Sequence, residues 1–246
     1  MARRALNGDG WRARIGIAMP SVNTVMEPFA QRAVPNGVSV FASRMFMPPL
    51  TSRDALIEMD RTEGHGAIRQ LSSVFPDVIA YGCTASSIVQ GLHYDAHLRA
   101  EITETYKVPA TTAAHAILMA ARALGAAAVS IVSPYTAEVD AAEHAYFSSA
   151  GLAVYGGAYL GISDGFLLAE PEPETLFDLG TRGMDARADA LIISCLNTRS
   201  HTVIAALEQA LGKPVITSTQ ATLWHALRLA GVADSVPGLG QLFMAH

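Results

Sequence analysis

Only two of the 246 residues are cysteine, and both sit in similar company. Cys83 lies in YGCTASS (81–87) and Cys195 in ISCLNTRS (193–200). Each follows an apolar run and precedes hydroxyl, amide and small side chains. A thiolate is a good nucleophile and a good base for a weakly acidic C–H. A strand-to-helix turn favours the anion through free N–H groups, so both turns are expected to lower the thiol pKa. The neighbouring Thr, Ser and Asn side chains can donate to a carboxylate or a developing enolate. Two opposed thiols could act as acid and base on the two faces of one carbon. Alternatively, one could add covalently while the other moves the proton. A buried free cysteine is often only packed, but two in equivalent places argue for chemistry. Two thiols alone do not make a zinc site.

The elements that must position these thiols are legible as apolar runs: RIGIAMP, DVIAYGC, AAVSIVSP, DALIISC and KPVITST. They are short, rich in Ile and Val, and not cleanly alternating, as expected of parallel strands buried on both faces. Ala- and Leu-rich helical stretches lie between them, at 95–106, 113–124, 138–149, 202–211 and 221–230. Alternating strand and helix predicts an α/β fold.

Three anchors recur in order. Pro20 and Pro134 each end a strand, 114 positions apart; Cys83 and Cys195 are 112 apart, each six residues after an Asp. TTAAHAILMAARALG from Thr111 pairs with TSTQATLWHALRLAG from Thr217, matching Arg122 with Arg228 and Gly125 with Gly231. An internal duplication follows: two pseudo-symmetric Rossmann-like lobes, each with a mainly parallel four-stranded sheet flanked by helices. Ligands in open α/β sheets bind beyond the carboxyl ends of strands, so the two cysteines are expected to flank one cleft between the lobes. The expected division is a flexible basic tail over 1–13, a first lobe over 14–125 and a second over 126–217. The segment from about 218 to 246 is expected to pack back on the first lobe.

The chain is half hydrophobic with a net charge of −5. That suits a real core and lacks the basic footprint of a nucleic-acid binder. Arg3, Arg4, Arg12 and Arg14 concentrate positive charge near the start. No run approaches the ~18 apolar residues of a membrane span, and the apolar stretch 15–20 is too short for a secretory signal core. A cytoplasmic protein with free thiols, binding neither nucleic acid nor membrane, is expected. Ala-rich helices make it a candidate homo-oligomer.

The motifs together resemble the aspartate/glutamate racemase superfamily, and within it the maleate cis–trans isomerase and arylmalonate decarboxylase branch. PSVNTVMEP, YGCTASS, SPYTAEV, ISCLNTRS and KPVITSTQATLWHALRLAGV carry the resemblance, which runs from about Arg14 to Phe243. It implies Cys83 as nucleophile and Cys195 as acid/base in a cofactor-independent isomerisation of a maleate-like unsaturated acid. It further implies a small mono- or dicarboxylate held by Asn23, Thr84 and Tyr135, by backbone near Ala85 and Leu196, and beside Pro20. The sequence departs from that pattern at Gly165, where the isomerases carry Asn, at Leu196, where they carry Thr, and at Ala85, where they carry Ser. Each missing donor costs roughly 1–3 kcal/mol of carboxylate binding, so a substrate with one carboxylate and a less polar second group is favoured. A two-cysteine racemase, a decarboxylase, a non-catalytic small-acid binding protein and a thiol redox sensor remain alternatives.

Other candidates are weaker. His93 and His97 have metal-ligand spacing but no third ligand, and His65 sits in a predicted loop. Asn197 and Ser200 could orient substrate or cap a helix. The Pro-rich segment 48–50 could form a lid, and Met19, Met45 and Met47 suit a core or pocket wall.

Overall fold

Every apolar run contains a strand. In the computed structural model, which describes residues 8–48 and 50–246, the chain order is β1 (Ala13–Pro20), α1 (Met26–Ala33), β2 (Val38–Met45), α2 (Arg53–Met59), α3 (His65–Ser72), β3 (Val78–Tyr81), α4 (Thr84–Gln90), α5 (Leu92–Tyr106), β4 (Ala110–Thr112) and α6 (Ala113–Ala123). It continues with β5 (Ala128–Ser133), α7 (Ala137–Ser149), β6 (Ala153–Tyr159), α8 (Pro173–Gly183), β7 (Ala190–Ile193), α9 (Ile204–Leu211), β8 (Val215–Thr217), α10 (Ser218–Leu229) and α11 (Gly240–Ala245). One π-helical turn, Asp60–Gly64, joins α2 to α3. His65 is therefore helical rather than in a loop, because Leu56, Met59, Ile68 and Leu71 hold the whole α2–α3 segment against the core.

Two four-stranded sheets result, ordered β2-β1-β3-β4 and β6-β5-β7-β8. All pairings are parallel, and the second order repeats the first. Buried parallel strands must be apolar on both faces, and β3 and β7 are buried throughout. The edge strands β2 and β6 are half-exposed and carry mixed side chains.

The repeat extends to the helices that follow β4 and β8. Thr112 Oγ1 accepts from His115 N–H at the start of α6, and Thr217 forms a capping box with Gln220 on α10. Both helices close on a left-handed glycine, Gly125 and Gly231, at φ 69° and 76°. α10 packs on α6, β3 and β4, whereas α11 lies against α9 and β8. Of the basic N-terminal residues, Arg3 and Arg4 lie outside the described residues. Arg12 donates to Asp234 at 3.0 and 2.5 Å, and the Trp11 ring covers Gly37. Among the described residues no helix is long and apolar enough to cross a membrane.

The two sheets meet where β3 and β7 end. Gly82 N–H donates to Ala18 O at 2.6 Å. A β-carbon on Gly82 would stand 2.9 Å from that oxygen and 2.8 Å from Leu196 Cδ2, which belongs to the other cysteine loop. Only glycine permits this approach. Gly82→Ala is expected to cost about 1–3 kcal/mol by overpacking, read as a lower urea midpoint; an unchanged midpoint contradicts the contact.

Candidate active site

Both cysteines lie just beyond the ends of central strands, as the duplicated plan requires. β3 runs through Gly82 to Cys83, which opens directly into α4. β7 runs through Ser194 to Cys195, which opens into a turn; the next regular helix begins at Ile204. Cys195 has φ 94°, a conformation uncommon for a residue with a side chain. Such strain costs on the order of 1–3 kcal/mol and concentrates at functional sites.

One cavity of about 40 Å³ lies between the lobes, and both thiols line it. So do Pro20, Asn23, Thr84, Ala85, Tyr135, Gly165 and Leu196, the residues that the family resemblance pointed to, and Asn197; Ser200, His65, His93 and His97 do not. Val22, Met47, Thr51, Leu56 and Leu168 also line it; all but Thr51 are apolar, and of these only Met47 was expected as a pocket wall. None of the described residues lining the cavity is charged. An anion here depends on neutral donors.

Asn23 supplies one such donor. Its Oδ1 accepts from Val25 and Met26 N–H at 3.0 and 2.9 Å, holding the start of α1. Its buried Nδ2 has no partner among the described residues, and a buried donor left unpaired is costly unless a ligand meets it. Asn197 differs. Its Oδ1 accepts from Thr24 N–H at 2.9 Å, and its Nδ2 donates to Gly165 O at 2.9 Å and Val22 O at 3.3 Å. This amide is spent on tying three loops together. Ser200 is buried and bonds Thr198 O, away from the cavity. Thr84 Oγ1 donates to Ser218 Oγ at 3.2 Å.

The expected lowering of the thiol pKa does not occur. Burial pushes Cys83 up to about 12, and the charge of Asp60 adds to that; contacts with Ser86 oppose it. Burial raises Cys195 as well, opposed by Thr198, Tyr135 and the Asn197 N–H. Desolvation of an anion outweighs the turn's N–H groups in so dry a place. Cys195 has the better set of donors and Cys83 the worse electrostatic neighbour.

Asp60, unforeseen from sequence, sits at the π-helical turn. It accepts from Tyr81 Oη, from Tyr94 Oη at 2.7 Å and from Gln90 Nε2 at 2.7 Å. These residues face a second, larger cavity of about 270 Å³, rimmed by His65, His97 and Glu101. His65 Nδ1 lies 3.5 Å from Glu101. Among the described residues no group of three or more His, Cys, Asp or Glu could hold a metal ion. Met19 and Met45 are core, and Met47 is cavity wall. In the Pro-rich segment, Pro49 lies outside the described residues, while Leu50 bridges Asp164 and Thr51 N–H donates to Ser163 O at 2.8 Å.

The left-handed backbone at Cys195 gives a direct test. Cys195→Gly is expected to be more stable than Cys195→Ala by about 1 kcal/mol, because only glycine adopts that φ without strain. Urea denaturation of the two variants measures it, and equal midpoints contradict the strain.

Comparison with known proteins places this geometry. The sequence model of the arylmalonate decarboxylase family matches residues 51–243. The chain is 29% identical to the arylmalonate decarboxylase of Bordetella bronchiseptica, over 91% of this chain and 96% of that protein. It is 28% identical to the maleate isomerase of Geobacillus stearothermophilus, over 93% and 96%. The crystal structure of maleate isomerase from Pseudomonas putida S16 with maleate superposes with a TM-score of 0.89 at 26% identity, covering 94% of this chain and 97% of that one. Two parallel sheets, paired cysteine loops and a match over most of the length agree: the chain belongs to the arylmalonate decarboxylase family, which its maleate isomerase relatives share.

Proposed function

We propose that the protein is a cofactor-independent cis–trans isomerase of a maleate-like unsaturated acid, with Cys83 as nucleophile and Cys195 as acid/base. The observation that carries this reading is the sharing of one uncharged cavity by both thiols. Its maleate isomerase relatives support it.

The pair works with a single proton. Cys195, better supplied with donors, gives up its proton first. Its thiolate draws the Cys83 proton as the Cys83 sulfur bonds to one olefinic carbon. Cys195 then hands that proton to the adjacent carbon, where charge has developed onto the neighbouring carboxylate. The former double bond is now single and rotates. Cys195 takes a proton back from that adjacent carbon as the C–S bond breaks and the electron pair returns to the Cys83 sulfur; the proton then passes from Cys195 to the Cys83 thiolate, and the trans acid leaves with the pair restored. Burial keeps both thiols neutral in the empty site, so the reactive one-proton state grows as pH rises through neutrality.

The nearer carboxylate is held by Asn23 Nδ2 and by Thr84 Oγ1 once its hydroxyl turns from Ser218 Oγ, with Tyr135 Oη shared with Cys195 and the backbone N–H groups near Ala85 and Leu196 beside the developing charge. Most of the remaining lining is apolar, with Val22, Met47, Leu56, Leu168 and the Leu196 side chain beside the Thr51 hydroxyl. That wall favours acids whose second group is less polar than a carboxylate, such as a half-ester or alkyl-substituted cis-enoic acid. The same wall suits a malonic acid with an apolar substituent, so decarboxylation is the second reading. Cys83 weighs against it, because proton transfer from one thiol suffices there. Two free thiols suit a reducing compartment such as the cytoplasm.

NMR of cis-enedioates, their half-esters and substituted malonates with the protein separates the readings. The expected product is the trans-olefin, and Cys83→Ala and Cys195→Ala are each expected to lower turnover by at least about 10³-fold. Unchanged activity in both variants would sink the thiol mechanism.

A further inference from the structure

The proposed chemistry leaves one buried acid without a role. Glu143, on α7, has no exposed surface, and neither carboxyl oxygen has a partner in regular hydrogen-bond geometry among the described residues. The carboxyl lies at the ends of β5 and β7, close enough to interact with the Ser133 and Ser194 hydroxyls. Ser194 directly precedes Cys195, and its own hydroxyl is likewise buried and unpartnered. The charge of Glu143 acts on the Cys195 thiol and on the Tyr135 hydroxyl.

Little around it could stabilise a carboxylate. On its own helix Asp140 adds a like charge, and His144 lies 3.9 Å from Asp140. The end of β5 brings Tyr135 and the end of β7 brings Cys195, both acids themselves. β6, packed on α7, contributes Tyr155 and Tyr159 as its titratable groups, and α4, packed across α7, contributes none. Carboxylates are almost never fully buried unless paired, and among the described residues no cation acts on this one.

We propose that Glu143 is a positioning residue that works as a neutral carboxylic acid behind Cys195, and that its ionisation withdraws Cys195 from proton transfer. Ionisation releases one proton to solvent and leaves a carboxylate whose charge acts on the sulfur. Two anions in one dry space repel, so the Cys195 thiolate forms less readily. Burial pushes Glu143 up to about 8. Below that pH the acid is neutral and Cys195 can alternate between thiol and thiolate. Above it, the carboxylate holds Cys195 as the thiol. The catalytic meaning rests on the isomerase reading; the coupling between Glu143 and Cys195 does not.

The test is the pH profile of turnover, from about pH 6 to 10, for the wild type, Glu143→Gln and Glu143→Asp. Glu143→Gln mimics the neutral acid. It is expected to stay within about threefold of wild type at neutral pH and to keep rising where the wild type levels or falls, ending on the order of tenfold faster at about pH 9.5. Glu143→Asp keeps the charge and is expected to keep the alkaline limb. An unchanged limb in Glu143→Gln overturns the proposal, as does loss of its turnover at every pH in a folded protein. If no acid is isomerised by the wild type, thiolate absorbance of Cys195 in a Cys83→Ser background still decides. Adding Glu143→Gln is expected to lower that midpoint by about one pH unit, and an unchanged midpoint overturns the coupling. If Glu143→Gln does not fold, infrared difference spectra of the wild type serve instead: a buried carboxylic-acid carbonyl band is expected at neutral pH and lost by about pH 9.5, and its absence at neutral pH overturns the proposal.

Discussion

The site depends on one constraint: two thiols are withdrawn from water into a cavity with no charged wall. Desolvation opposes the thiolate at both positions, and no lining cation offsets it. Reactivity must therefore come from a few neutral donors and from neighbouring acids held at a distance. This makes the two thiols unequal although their strands are equivalent. Cys195 has Thr198, Tyr135 and a backbone N–H, whereas Cys83 faces the charge of Asp60. Environments that push two like groups apart are the physical basis for assigning acid and nucleophile roles.

The architecture serves that constraint by bringing strand ends together closely enough to exclude water. Gly82 lets the first cysteine loop touch Leu196 of the second. Asn197 ties the loops after β1, β6 and β7 through three hydrogen bonds. The segment before α2 adds a clasp at Leu50–Asp164 and Thr51–Ser163. The left-handed Cys195 fits this picture: the loop geometry that aims the sulfur inward also strains its backbone.

The sequence made the central strands, the duplicated order and the cysteine loops legible because buried parallel strands must be apolar and because the repeat preserved its anchors. It missed β2 and β6, whose half-exposed faces carry Arg, Ser, Gly and Tyr, and β4, only three residues long. The apolar wall escaped notice because Val22, Leu56 and Leu168 are ordinary core types that only the fold brings together. Asp60 and Glu143 lie in stretches where nothing local marks them out; both are buried by the fold. The thiol pKa expectation failed for the same reason, since local turn chemistry is visible in sequence and desolvation is not. Asn197 could not be told from a substrate ligand until its amide was seen to be fully engaged.

The central claim, that burial holds both thiols neutral and makes Cys195 the first to ionise, is tested most directly by NMR. Cysteine ¹³Cβ shifts of the labelled wild-type protein, followed with pH, report each thiol separately. The account predicts two thiol resonances at neutral pH, with Cys195 titrating before Cys83. A Cys83 thiolate at neutral pH, or Cys83 titrating first, would contradict it.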